Sequence, residues 1–345
     1  MYKTLLVPLD GSARAETALP VAARIARQTG ATLVLVRVVS ILSTYWPALT
    51  AAHPSLTQAV VETDLEHATA YLEKIAALPE LAGITVKTTA QSGPPAPTIL
   101  AVAVSSLSDL IVLCSHSSAG MIHRVRGSVA EKIARHTTIP VLVVREEGTH
   151  LGSPLAQPLR MLIPLDGSAG SQAALEPGAE LLLAMAAPGQ KSALHLARVC
   201  QAPVDEQEAP EQFAWDSQEL VQARDFLLHT TQQIREGTRA PFIAEHHLPV
   251  TWSLLLDTDV AGALLRLAEQ GEDAEGASAF GGCDLIAIST HGRSGFQHWI
   301  MGSIAERILH TTRRPVLIVH SPEATAWKET AFAGKHGVLQ TVRHG

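Results

Sequence analysis

Residues 5–19, LLVPLDGSARAETAL, return at 161–175 as MLIPLDGSAGSQAAL, with Pro-Leu-Asp-Gly-Ser-Ala common to both. Two later blocks return in the same order. SDLIVLCSHSS (108–118) reappears as CDLIAISTHGR (283–293), and GSVAEKIARHTTIPVLVV (127–144) as GSIAERILHTTRRPVLIV (302–319). A chain that repeats itself in order builds one unit twice, and each unit needs its own core. The offset grows from 161 − 5 = 156 at the first block to 302 − 127 = 175 at the last. The second copy is therefore longer. About ten of its extra residues fit GEDAEGASAFGG (271–282), whose Gly, Ala and acidic content predicts a mobile loop. EEGTHLGSPLAQP (146–158) has the Pro, Gly and Ser content of a boundary. The expected division is a first unit over 1–146, a linker over 147–159, a second unit over 160–321 and a tail over 322–345.

Within each copy the hydrophobic period alternates between strand and helix. KTLLVPL reads as a buried strand, 13–29 as one helix with Ala15, Ala18, Leu19, Ala22 and Ile25 on its inner face, and ATLVLVRVV (31–39) as a second strand. A long amphipathic helix over 55–78, a strand at 84–90, a helix at 97–106, the strand DLIVLC (109–114), a helix at 127–136 and the strand PVLVV (140–144) complete the first copy. The second repeats it, with strands near 160–165, 192–199, 249–255, 284–289 and 315–320. Such alternation predicts an α/β fold, two tandem doubly wound sheets of five parallel strands with helices on both faces. The apolar last strands, PVLVV and PVLIV, would be aggregation hazards as bare edges. Antiparallel pairing of the two within one chain would cover both.

Hydrophobic residues make up 46% of the 345 and aromatics only 4%, which suits cores of Val, Ile, Leu and Ala. The net charge of −7 argues against a nucleic-acid or anionic-membrane partner, since both need a basic footprint. No apolar run approaches the ~18 residues of a membrane span. The start MYKTLLVPLD reads as a first strand and not as a signal peptide. Cys114, Cys200 and Cys283 are far apart and fit buried, reduced thiols in a cytoplasmic protein. No metal-ligand set is expected, the histidines of EHHLP (245–249) included.

Ligands of doubly wound sheets bind at the carboxyl ends of the strands, where the strand order reverses. Two segments of each copy fall there: PLDGS after the first strand, and the loop from the fourth strand into the last helix. In the second copy that loop is STHGRSGFQHWIMGS (289–303). The helix beginning near Gly302 and Ser303 offers free amides and a dipole that favour an anion, and Arg293 could add charged contacts to phosphate. Each residue also has a plainer reading. Gly292 and Gly295 fit turns with positive φ, Ser303 and Asp166 fit helix caps, and His291 fits an orienting role in its loop. The whole set, at strand ends and present twice, points to a site more strongly than any member.

A strand ending in Asp, a late Gly-x2-Gly-x9-Gly-[Ser/Thr], then VAE or IAE and a final PVLVV-like strand resemble the universal stress protein family, within the nucleotide-binding alpha hydrolase-like fold. The resemblance covers nearly the whole chain as two copies. It implies the strand order 3-2-1-4-5, ATP or a related adenine nucleotide as ligand, with or without Mg²⁺, and pairing through the last strand. In the second copy the motif's glycine positions fall on Ser289, Gly292 and Gly302, followed by Ser303 and Ile304. In the first they fall on Cys114, Ser117 and Gly127, followed by Ser128, so two of three glycines are absent. Pro164, Asp166 and Val199 match family positions near the adenosine, as do Asp10 and Val38 in the first copy. The expected nucleotide set is therefore Pro164, Asp166, Val199, Ser289, His291, Gly292, Arg293, Gly302, Ser303 and Ile304, with one nucleotide per chain. The implied role is stress-response regulation or sensing without catalytic residues. The alternatives are a ligand-free scaffold and a slow ATPase, since there is no Gly-x4-Gly-Lys-[Ser/Thr] loop. Assembly of two chains is left open.

Overall fold

A computed structural model describes residues 1–40, 54–115, 129–145, 158–201, 218–271, 281–290 and 301–320. The first half runs β1 (Thr4–Pro8), α1 (Ala13–Glu16), α2 (Ala18–Thr29), β2 (Thr32–Val39), α3 (Pro54–Ala76), β3 (Val86–Ser92), α4 (Pro95–Ser105), β4 (Leu110–Ser115), α5 (Val129–His136) and β5 (Val141–Arg145). The second runs β6 (Leu159–Pro164), a 3-10 turn (Gly170–Ala174), α6 (Leu175–Met185), β7 (Ser192–Gln201), α7 (Gln218–Arg235), α8 (Pro241–Glu245), β8 (Val250–Asp257), α9 (Val260–Gln270), β9 (Leu285–Ser289), α10 (Ser303–Thr311) and β10 (Val316–Val319). Residues 147–157 of the expected linker, 272–280 of the 271–282 loop and the tail lie outside the described residues, and Leu159, expected in the linker, instead opens β6.

The strands join in one ten-stranded sheet, ordered β3-β2-β1-β4-β5-β10-β9-β6-β7-β8. Each half has the order 3-2-1-4-5, with parallel pairing throughout. The halves meet where β5 and β10 run antiparallel, with Leu317 opposite Leu142 and Val316 opposite Val143. Every residue of Val141–Val144 and Val316–Ile318 is 0% exposed, so neither apolar strand is left as an edge. Each such side chain contributes about 1.5–3 kcal/mol by burial. The helices cover both faces, and both cores cross the junction. One face packs α2 and α3 with α6, α7 and α8. The other packs α4 and α5 with α9 and α10. Tyr2, buried, donates to the Pro177 carbonyl at 3.2 Å and links the halves on the first of these faces.

One expectation needs correction. The single helix over 13–29 is two helices broken at Thr17. Pro20 has no amide for the Glu16 carbonyl, so a continuous helix would leave that carbonyl unmet. The chain tightens instead: the Thr17 amide and hydroxyl both donate to the Arg14 carbonyl, at 3.1 and 2.7 Å.

Candidate functional site

In the second half the order reverses at β6, which has β7 on one side and β9 on the other. The carboxyl ends of these strands bring together Pro164, the turn Asp166-Gly167-Ser168, Val199, Ser289 and the start of α10.

The turn after β6 is built from its own side chains. One oxygen of the Asp166 carboxylate accepts from the Ser168 amide at 2.9 Å and from the Ser168 hydroxyl at 2.6 Å. The Ser168 Oγ accepts in turn from the Ser171 amide at 3.1 Å. The reading of Asp166 as a helix cap is thus corrected. The Ser168 hydroxyl, not the carboxylate, meets the amide three residues on, and the N-cap of the 3-10 turn is Ala169, with no side-chain cap bond. Gly167, inside the turn, stands at φ +92°. Only glycine takes that conformation without strain. A Cβ there would also stand 3.0 Å from the Arg198 guanidinium. Arg198 is buried under the turn, with its guanidinium 5.2 Å from the centre of the Phe226 ring. The sequence reading passed over Arg198. An arginine in an apolar strand looks like an outward side chain until the aromatic ring on α7 is known to lie over it.

The first half repeats this construction. Asp10 accepts from the Ser12 amide and hydroxyl at 2.9 and 2.6 Å, and Gly11 stands at φ +89°. The Arg37 guanidinium is 3.0 Å from where its Cβ would be. Arg37 lies 4.7 Å over the Tyr71 ring, and the Tyr71 hydroxyl donates to Glu16 at 2.8 Å. Burial and that contact raise the Tyr71 phenol above its ordinary range.

The second part of the site is the entry to α10. The Gly302 amide donates to the Thr290 carbonyl at 2.9 Å, and the Gly302 carbonyl accepts the first intrahelical bond, from Glu306, at 2.9 Å. Gly302 is therefore the N-cap and Ser303 the first helical residue. This corrects the reading of Ser303 as a cap. Gly302 has φ −57°, so no left-handed backbone explains it. Its reason is close approach: a Cβ would meet the Thr290 carbonyl oxygen at 3.3 Å. The amides of Ser303, Ile304 and Ala305 precede the first intrahelical bond, so the helix gives them no acceptor. They carry the positive end of the helix dipole. Ser303 is exposed, Ile304 and Val199 are half-buried, and Ser289 is buried at the end of β9. His291, Gly292 and Arg293 lie outside the described residues, as do Ser117, Gly127 and Ser128 of the first copy.

Residues 1–145 and 277–320 match the model of the universal stress protein family. The chain belongs to that family. A universal stress protein of Mycobacterium tuberculosis is 24% identical over 322 residues, covering 91% of this chain and 96% of its own length. A putative universal stress protein of Staphylococcus haemolyticus is 31% identical over 153 residues, 42% of this chain and 86% of its own. A solved universal stress protein from Archaeoglobus fulgidus aligns over 92% of this chain and 96% of its own with a TM-score of 0.57 at 16% identity, a likeness of fold. Among the described residues, no helix is long and apolar enough to cross a membrane.

Proposed function

We propose that the chain is a stress-response protein that binds one adenine nucleotide, ATP or a close relative, in its second half. The role is regulatory or sensory, in the cytoplasm. The observation that carries this reading is the pairing of two features at one switch point. One is the α10 entry, where three successive amides lack an intrahelical acceptor. The other is the Asp166 turn at the end of the neighbouring strand. Amides at a helix start favour phosphate oxygens. A carboxylate at the adjoining strand end suits a ribose hydroxyl. Val199, half-buried on β7, offers an apolar surface to a base. Gly292, Arg293 and His291 complete the proposed nucleotide set, with Mg²⁺ as an optional companion. In the first half Ser117 stands where the motif asks for glycine, and that half serves as a partner within an intramolecular pseudo-dimer.

Calorimetric titration of ATP into the freshly purified chain tests this, together with mass analysis of any small molecule released on denaturation. The expected result is one nucleotide per chain and a raised melting temperature. A chain that neither carries nor binds nucleotide is a scaffold. Phosphate release near 1 per second or faster, the ordinary range of enzymes, would make it an ATPase.

A further inference from the structure

The helix that begins at the candidate site is held at both ends by the other half of the molecule. At its first turn, the Glu306 carboxylate accepts from the Arg135 guanidinium of α5 at 3.2 Å. Arg135 is fixed there by Glu131, one turn earlier on α5, with contacts of 2.7 and 3.1 Å from Nη2 and Nε. Glu131 is 7% exposed, so the arginine is anchored on a buried carboxylate and reaches the second half from it. At the last turn of α10, Nη2 of Arg145 donates to the Leu309 carbonyl. Arg145 closes β5 of the first half and is 2% exposed. Its Nη1 donates at 3.4 Å to the carbonyl of Ser115, the last residue of β4. Burial holds the Arg145 guanidinium down to about 10, still charged at neutral pH. A cation at a helix C-terminus is favourable, and so is cancelling a carboxylate beside the N-terminal amides when an anion is to sit there.

We propose that the first half sets the anion affinity of the second through these two arginines, and that this is what the copy with the worn motif does. Arg135, shared with Glu131, offsets part of the charge of Glu306, which would otherwise face an incoming phosphate from within one turn of the amides. Arg145 fixes the last turn, so that the helix does not rock on its strand. Both are positioning residues. By linkage, a nucleotide that favours the held helix also tightens the junction between the halves. The proposal rests on the nucleotide reading of the site for its ligand, but the holding of α10 can be measured without one.

The test uses the full chain and four variants: Arg135→Gln, Glu306→Gln, the two together, and Arg145→Met, which keeps an apolar stem of similar length. With ATP as probe, Arg135→Gln should weaken binding about three- to fivefold, the range of a partly exposed charge. Glu306→Gln alone should not weaken it. The double variant should recover most of the lost affinity, since the carboxylate on α10 itself is gone and only Glu131, on α5, keeps its charge; a merely structural role for Arg135 would give no such rescue. Without nucleotide, Arg145→Met should speed hydrogen exchange of the α10 amides about tenfold while β1 and β2 exchange as in wild type. Unchanged ATP affinity in Arg135→Gln, or no rescue by Glu306→Gln, overturns the electrostatic part. Unchanged α10 exchange in Arg145→Met overturns the anchoring. If the wild type binds no ATP, the nucleotide reading falls, and α10 exchange in Arg135→Gln and Arg145→Met still decides whether the first half holds the helix.

Discussion

The two halves share an architecture and differ in where they place polar chemistry. The Asp-Gly-Ser turns are alike: the carboxylate contacts are 2.9 and 2.6 Å in both, and a buttressing arginine stands 3.0 Å from the glycine's Cβ position in both. That likeness teaches that the turn is first a structural device. The half that lacks two of the three motif glycines keeps the turn intact. The strand interiors diverge. Val34 is buried in β2, whereas its repeat counterpart His195 is buried in β7, its ring nitrogens 2.7 and 3.0 Å from the Thr251 and Ser253 hydroxyls of β8. The ends of the last strands diverge as well. Arg145, a permanent cation, corresponds to His320, both buried.

The largest expected contrast is in binding. Gly302→Val should abolish nucleotide binding, a loss of a hundredfold or more, because the branched side chain crowds the Thr290 carbonyl and covers the amides. Gly127→Val should leave it intact. Equal losses from the two, or two nucleotides per chain by calorimetry, would erase the asymmetry.

Acid should next separate the halves. Burial, reinforced by the charge of Arg160, holds His195 down to about 4 against an ordinary 6.5. The folded pKa is the lower one, so the unfolded chain binds the proton more tightly. Stability from this group is complete above pH 6.5 and is lost as pH falls from 6.5 towards 4, by up to about 3 kcal/mol at the lower limit. Urea unfolding at pH 7.5 and 4.5 should show the second half weakening more. His195→Val, which copies the first half, should flatten that difference at the cost of the two contacts to the Thr251 and Ser253 hydroxyls. A pH response that survives the substitution would assign it elsewhere.

A smaller effect sharpens the same contrast. Asp166→Ala should weaken nucleotide binding about tenfold, the scale of one hydrogen bond to a charged group, while Asp10→Ala should not change it. The smallest is a predicted equality. Gly11→Ala and Gly167→Ala should each destabilise by about 1–2 kcal/mol from left-handed strain. Matched losses of melting temperature would confirm that the turn is structural in both halves. A larger loss for Gly167→Ala would show that the fold of the second half depends on its turn more than the first half does.

Most of the fold was legible in the sequence because it depends on periodicity and repetition. The ten strands lie within one or two residues of their expected places, and the order 3-2-1-4-5 follows from the family resemblance. The break at Thr17 was missed because apolar spacing continues across it; only the missing Pro20 amide betrays it. At the site, Asp166 and Ser303 were found for their positions, but the reading of each as a cap was wrong. A cap and an Asx-type turn use the same residue types, and which donor a carboxylate meets is settled by the backbone. Arg145, Arg135 and His195 left no signal at all. Their partners, Leu309, Glu306 and the β8 hydroxyls, are 164, 171 and 56–58 residues away by subtraction of residue numbers, beyond any local pattern.

The antiparallel seam between β5 and β10 has a consequence for synthesis. β5 ends at Arg145 and its partner begins at Val316, 316 − 145 = 171 residues later. At about 5–20 residues per second, a ribosome needs on the order of 10–35 s to deliver the second strand after the first. Through that interval the nascent first half presents Val141–Val144 with no neighbour on its outer side. Another nascent chain on the same message offers the same bare strand. Production of this protein should therefore depend on translation speed and on chaperones that shield the edge, even though the finished molecule has no such edge at its centre.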